Sequence, residues 1–337
     1  METQKENEVM AITPFQDDPL LSVEVKEFLK ALNDPANQPL ESMDPVDARK
    51  VLEGAQLSVE VDMSGIEESE HSIEADGFKI LLNIVRPEGV SGILPVFIFI
   101  HGGGWVLGDY PTHKRMVRDL VVMSKACGVF VNYTRTPDAA FLTAINEIYA
   151  ATKWVAENGE KINVDGKRLA VVGNSVGGNM TAVTALKAKA MGGPDIKLLI
   201  MMWPIVDCDF ETASYRRFGQ QRFLTTPLMK WMYDMYIPDP EKRKDILASP
   251  LRATIAQLKD LPPTLIQVAE CDVLRDEGEA YARKLNEAGV KVTCVRYNGV
   301  IHDFGLLNPL ASIPQTRSLF VQGAAEIKKY LMEDKHI

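Results

Sequence analysis

Ser175 sits in the pentapeptide Gly173-Asn174-Ser175-Val176-Gly177. The apolar run Leu169–Val172 precedes it, and the stretch from Asn179 to Ala190 has the composition of a helix. A serine hydroxyl is a weak nucleophile until a base takes its proton. Gly-x-Ser-x-Gly alone also occurs in ordinary strand–turn–helix units. Between a buried strand and a helix it reads as a nucleophile elbow, a sharp turn that projects the hydroxyl from the sheet edge. Glycines at 173 and 177 remove the Cβ atoms that such a turn brings into conflict.

The base should be a histidine oriented by a carboxylate. On a strand–elbow–helix scaffold the chain order is serine, acid, histidine. There are five histidines, at 71, 101, 113, 302 and 336, and only the last two follow Ser175. His336 is penultimate in a charged tail, whereas His302 follows the last strand-like run, so His302 is the expected base. Asp272 directly follows the strand-like Thr264–Ala269 and is the preferred acid. Asp207, after the run Lys197–Trp203, is the runner-up. Glu270 should point to the other side of its strand. Asp276 and Glu277 suit the first turn of a helix, where negative charge is stabilised.

Acyl transfer also needs donors for an oxyanion. The near-continuous apolar run Leu94–Ile100 ends in His101-Gly-Gly-Gly-Trp105. Backbone N–H groups of Gly103 and Gly104, with that of Val176 at the start of the helix after the elbow, are the expected oxyanion donors. Gly102 is a further candidate. His101 should brace the loop and not act as a base.

These groups need a frame. Ser22–Leu32 and Pro45–Leu52 read as two short helices ahead of the sheet, Asp44 capping the second. Strands are expected at Gln56–Met63, Phe78–Val85 after a turn at Asp76-Gly77, Leu94–Ile100, Val129–Tyr133, the elbow strand, Lys197–Trp203, Thr264–Ala269 and Lys291–Tyr297. Helices are expected at about 112–126, 141–158, 275–288 and 313–332. Roughly eight strands interleaved with helices imply a mostly parallel sheet covered on both faces. From Asp207 to about 245 the chain is rich in aromatic and Met side chains, which reads as a lid. The division expected is 1–54 as N-terminal lid helices, 55–207 and 247–337 as the two parts of the core, and 208–246 as a lid insertion. Trp105, Phe210, Phe218 and Trp231 are candidates for the substrate pocket. Residues 1–18 are polar and expected to be poorly ordered.

The chain has 337 residues, 46% hydrophobic and 25% charged, with a formal net charge of −9. No basic patch suggests nucleic acid. No apolar run is long enough for a transmembrane helix, and the first residues lack a signal-peptide core. Cysteines 127, 208, 271 and 294 lie in or beside strand-like runs with no metal-like spacing, which suits reduced, buried thiols in a cytoplasmic protein. No metal or cofactor is called for.

Together, His101-Gly-Gly-Gly-Trp105, Gly173-Asn-Ser-Val-Gly-Gly-Asn179, Asp272-Val-Leu-Arg-Asp-Glu-Gly278 and His302-Asp-Phe304 resemble the hormone-sensitive-lipase family of α/β-hydrolases. The resemblance runs from the N-terminal helices to the C-terminus. It implies an α/β-hydrolase fold and a serine carboxylesterase acting on small, short-chain esters through an acyl-enzyme. It also implies a lid built from the N-terminal helices and an insertion after the sixth strand, with a closed pocket beneath. A homodimer through the last strand or its flanking helix is implied by the resemblance alone. The family's usual Gly-Asp-Ser-Ala-Gly is here Gly173-Asn-Ser-Val-Gly177, and its Tyr-Arg-Leu-Ala-Pro-Glu resembles Tyr133-Thr-Arg-Thr-Pro-Asp138. Amidases, dehydratases and plant gibberellin receptors share the scaffold. The receptors lack the histidine that this chain has at 302.

Overall fold

A computed structural model of the protein describes residues 13–332. The expectations for residues 1–12 and for His336 lie outside the described residues. Two helices come first, α1 (Val23–Leu32) and α2 (Pro45–Leu57). Ser22 and Asp44 cap them by accepting backbone N–H groups of the first turn. An eight-stranded sheet follows: β1 (Ile66–Ala75), β2 (Phe78–Pro87), β3 (Leu94–Ile100), β4 (Cys127–Asn132), β5 (Val164–Asn174), β6 (Leu198–Met202), β7 (Thr264–Cys271) and β8 (Val292–Ile301). The helices between and after the strands are α3 (Tyr110–Ser124), α4 (Thr143–Asn158), α5 (Val176–Met191), α6 (Ala213–Phe218), α7 (Thr226–Tyr236), α8 (Ile255–Leu258), α9 (Arg275–Glu287) and α10 (Pro314–Leu331).

The spatial order is β1-β2-β4-β3-β5-β6-β7-β8. β1–β2 and β2–β4 run antiparallel, and every later pairing is parallel. This is an α/β-hydrolase fold. Parallel strands buried on both faces must be apolar throughout, and Val96–Ile100 and Leu169–Val172 are fully buried. Helix pairs α3–α10 and α4–α5 pack over the sheet. Among the described residues no helix is long and apolar enough to cross a membrane.

Three expectations need correction. The strand expected at Gln56–Met63 is not there: α2 continues to Leu57, and β1 begins at Ile66. Gln56 is held in the helix by what its side chain meets. Its amide donates to the carbonyls of Thr112 and Leu306, and its oxygen accepts the Asn308 amide. The real first strand is an edge with a charged face, Ile66-Glu-Glu-Ser-Glu, which protects an open strand from pairing with another chain. Its hairpin turns at Asp76 and Gly77, both at positive φ, as a two-residue turn requires.

Residues 13–18 are anchored, against expectation. Phe15 is buried, and Asp18 forms a buried ion pair with Arg222 at 2.7 Å. The thiols are free but not all buried, since Cys294 is exposed on the edge strand β8.

Candidate active site

In a parallel α/β sheet, ligand chemistry collects beyond the carboxyl ends of the strands. Here four strands deliver one group each, one residue past their ends: β3 leads to His101, β5 to Ser175, β7 to Asp272 and β8 to His302. β3 and β5 are neighbours, as are β7 and β8.

Ser175 occupies a backbone conformation that L-residues avoid, with φ 54° and ψ −120°. The elbow closes so tightly that a Cβ on Gly177 would lie 2.0 Å from the Ile100 carbonyl oxygen. Only glycine fits there. The Ser175 Oγ lies 3.0 Å from His302 Nε2, and His302 Nδ1 lies 2.8 Å from Asp272 Oδ2. The other Asp272 oxygen accepts the Leu274 amide at 3.0 Å, which sets the carboxylate plane. All three side chains are buried. Burial opposes the imidazolium, but Asp272 and Asp303 outweigh it and raise the His302 pKa above its ordinary value.

The other acids are occupied elsewhere. Asp207 accepts from Arg252 Nε at 2.6 Å. Glu270 accepts the Gly299 amide, Asp276 the Ser214 amide and Glu277 the Val206 amide. Of the candidate acids, Asp272 is the one in contact with His302.

The glycine loop after β3 lies against the elbow. Gly103 takes φ 105°, and a Cβ there would meet the Leu107 carbonyl oxygen at 2.5 Å. Among the described residues the amides of Gly103, Gly104 and Val176 donate to no protein acceptor. Gly103 and Gly104 line the same cavity as Ser175 and His302. Gly102 differs, because its amide donates to Asn174 Oδ1 at 3.0 Å and to His113 Nε2 at 3.3 Å. It has no free donor to offer.

His101 braces the loop. Its Nδ1 bonds the Gly102 carbonyl at 2.8 Å, and its ring stacks on Tyr133 at 4.1 Å. Burial holds it well below the usual histidine pKa, hence neutral. Arg135 donates to the Gly108 carbonyl, and Arg49 to those of Val106 and Thr136, so arginines tie down the far side of the loop.

A cavity of about 1170 Å³ opens in front of Ser175. Its walls come from α1 and α2 and from the segment leading into α7. The four aromatic residues expected to line it do not. Trp105 is stacked on Tyr236 at 4.2 Å, and Phe218 lies under the guanidinium groups of Arg217 and Arg275. Phe210 packs edge-on against Tyr215 and Tyr233, and Trp231 is half-buried against the core. These large rings seat the insertion on the body of the protein, where they lose the most water-exposed area. The apolar wall is made instead by Phe28, Leu52, Leu107, Phe223, Leu228 and Met232. Leu228 and Met232 are one helical turn apart and face the cavity together.

The expected closed pocket is also corrected. The cavity runs out to Val23, Val51 and Val59, all solvent-exposed, so it reaches the surface through the N-terminal helices.

Residues 97–306 match the family model described as the alpha/beta hydrolase fold. An α/β hydrolase of Acanthamoeba polyphaga mimivirus is 36% identical over 316 residues, covering 93% of this chain and 89% of that protein. The ethyl acetate hydrolase of Pseudomonas putida is 33% identical over 234 residues, covering 68% and 72%. The crystal structure of a thermostable esterase from Pseudomonas putida superposes with a TM-score of 0.93 at 57% identity, covering 94% of this chain and 99% of that one. The chain belongs to the α/β-hydrolase-fold family, among its hormone-sensitive-lipase-like esterases.

Proposed function

We propose that this carboxylic ester hydrolase works through a Ser175–His302–Asp272 triad and an acyl-enzyme on small, short-chain esters. The observation that carries the reading is the unbroken hydrogen-bonded line from Ser175 Oγ through both ring nitrogens of His302 to Asp272. With Asp272 accepting from Nδ1, Nε2 is left as the acceptor for the serine proton. The serine oxygen attacks the ester carbonyl as its proton passes to Nε2. The amides of Gly103, Gly104 and Val176 hold the oxyanion, each such donor typically contributing ~3 kcal/mol at the transition state. The imidazolium then gives its proton to the leaving alcohol oxygen. Water enters and attacks the acyl carbonyl as it loses a proton to Nε2, and the imidazolium returns that proton to Ser175 Oγ as the acid leaves.

The helices at 1–54 and the insertion at 208–246 act in this reading as the lid that shapes the cavity. Short acyl groups are supported by the similarity to an ethyl acetate hydrolase. The test is hydrolysis of p-nitrophenyl esters from acetyl to dodecanoyl by wild-type and His302→Ala proteins. Rates that peak at short chains and fall by about 10³-fold or more in the variant are expected. A folded wild-type protein that turns over no ester in the series overturns the reading.

A further inference from the structure

A second carboxylate stands beside the Ser175–His302 pair, and the mechanism above makes no use of it. Asp303 is 5% exposed, yet it lines the same cavity as Ser175 and His302. Its Oδ1 is engaged by the protein: Trp203 Nε1 donates to it at 2.7 Å and Asn174 Nδ2 at 3.3 Å. Its Oδ2 accepts no hydrogen bond from the described residues and lies 3.8 Å from His302 Nε2. A free carboxylate oxygen therefore faces the space that a reacting ester must enter. The outer wall has the same sign. Glu24, Glu27, Asp34 and Glu41 line it, and no Lys or Arg does among the described residues.

We propose that Asp303 determines specificity by charge, rejecting esters that carry a carboxylate near the reacting carbonyl and admitting neutral or cationic ones. The inference rests on the esterase reading above. Its physical basis is the difference between buried and exposed charge. Glu24, Glu27 and Asp34 are exposed at the mouth and are screened by salt. Asp303 is enclosed, so its repulsion persists. Two like charges about 6 Å apart at an effective permittivity of ~20 interact strongly enough for about 100-fold discrimination. Burial raises the Asp303 pKa against the pull of His302 and its two N–H donors. The test is therefore run at about pH 8, well above the ordinary carboxylate range.

Three methyl esters of similar length separate the cases: dimethyl succinate, the monomethyl succinate anion, and the methyl ester of 4-(trimethylammonio)butyrate. In wild-type protein, kcat/KM for the anion is expected about 100-fold below the diester, with the cation no worse than about threefold below it. The ratio should survive about 0.5 M NaCl. Asp303→Asn should raise the anion-to-diester ratio about 10-fold or more, each protein serving as its own control through the ratio. Wild-type turnover of the anion within about threefold of the diester overturns the proposal. So does a ratio that collapses in salt, which would place the discrimination at the mouth, or one that Asp303→Asn leaves unchanged. If that variant does not fold, the wild-type salt series still decides. No turnover of the diester would sink the esterase reading itself, an outcome distinct from turnover without discrimination.

Discussion

Asn174 Oδ1 accepts the Gly102 amide at 3.0 Å, tying the residue before Ser175 to the glycine loop after β3. The same side chain turns its Nδ2 to Asp303 at 3.3 Å. One amide thus serves as acceptor on one side and donor on the other, which a carboxylate cannot do. Where the related family usually has Asp, this chain has a residue matched to its own Asp303.

Asn174→Asp should keep the Gly102 bond and lose the bond to Asp303, leaving two buried carboxylates in contact. We expect a melting point lower by a few degrees, equivalent to about 1–3 kcal/mol. The acid limb of kcat/KM should also move to higher pH, because the added negative charge favours imidazolium. Thermal scans and a pH profile on a neutral ester check both. An unchanged limb would show that residue 174 does not reach His302 electrostatically.

In the proposed mechanism His302 is a base only when neutral, so activity should be lost as pH falls through its folded-state pKa. That pKa is raised because Asp272 and Asp303 outweigh burial. The acid limb is therefore expected above the ordinary histidine value of about 6.5. Removing one of the two negative charges lowers the pKa, so Asp303→Asn should shift the limb to lower pH. A shift upward would contradict the assignment of charge.

Glu277 is fully enclosed, and its Oε1 accepts the amides of Val206 at 2.7 Å and Asp207 at 3.3 Å. Its Oε2 has no partner among the described residues. Burial drives its pKa well above the usual carboxylate value. Its contribution to stability is thus full below the unfolded-state pKa and is lost as pH rises through the folded one. Glu277→Gln keeps the acceptor and should flatten that decline. Glu277→Ala orphans two amides and should cost about 1–3 kcal/mol at every pH. Denaturant midpoints across pH for both variants distinguish the two effects.

The Asp18–Arg222 pair joins the start of the described chain to the insertion between β6 and β7, with both side chains almost wholly buried. Asp18→Ala leaves a buried guanidinium unpaired, a change that typically costs about 3–5 kcal/mol. We expect faster proteolysis of the N-terminal segment and a higher KM, because α1 and α2 form one side of the cavity. Limited digestion with and without an ester-site inhibitor measures the first. A KM equal to wild type would detach this anchor from the site.

Much of the chemistry was legible in one dimension because it is local. The elbow at Ser175 depends on glycines two residues either side, and the loop after β3 on three glycines in a row. The order serine, acid, histidine narrowed the partners to Asp272 and His302 before any contact was known. The central strands β3 to β7 were visible because burial on both faces demands continuous apolar runs. The edge strand β1 was missed, since one exposed face and a charged pattern resemble a loop. The range 56–63 was misread because Gln56 is held helical by Thr112, Leu306 and Asn308, which lie far away along the chain.

Backbone sterics and hydrophobic periodicity, which are written along the chain, singled out Ser175, Asp272 and His302 as candidates and marked the alternation of strands and helices from Phe78 onward. The tertiary structure alone decided which aromatic rings seat the insertion and which apolar side chains wall the cavity. It alone brought Asp303 against Trp203, a hundred positions apart, and left its other carboxylate oxygen 3.8 Å from His302 Nε2. The reason is physical: a side chain's direction is set by what it packs against, and those partners come from other strands and helices.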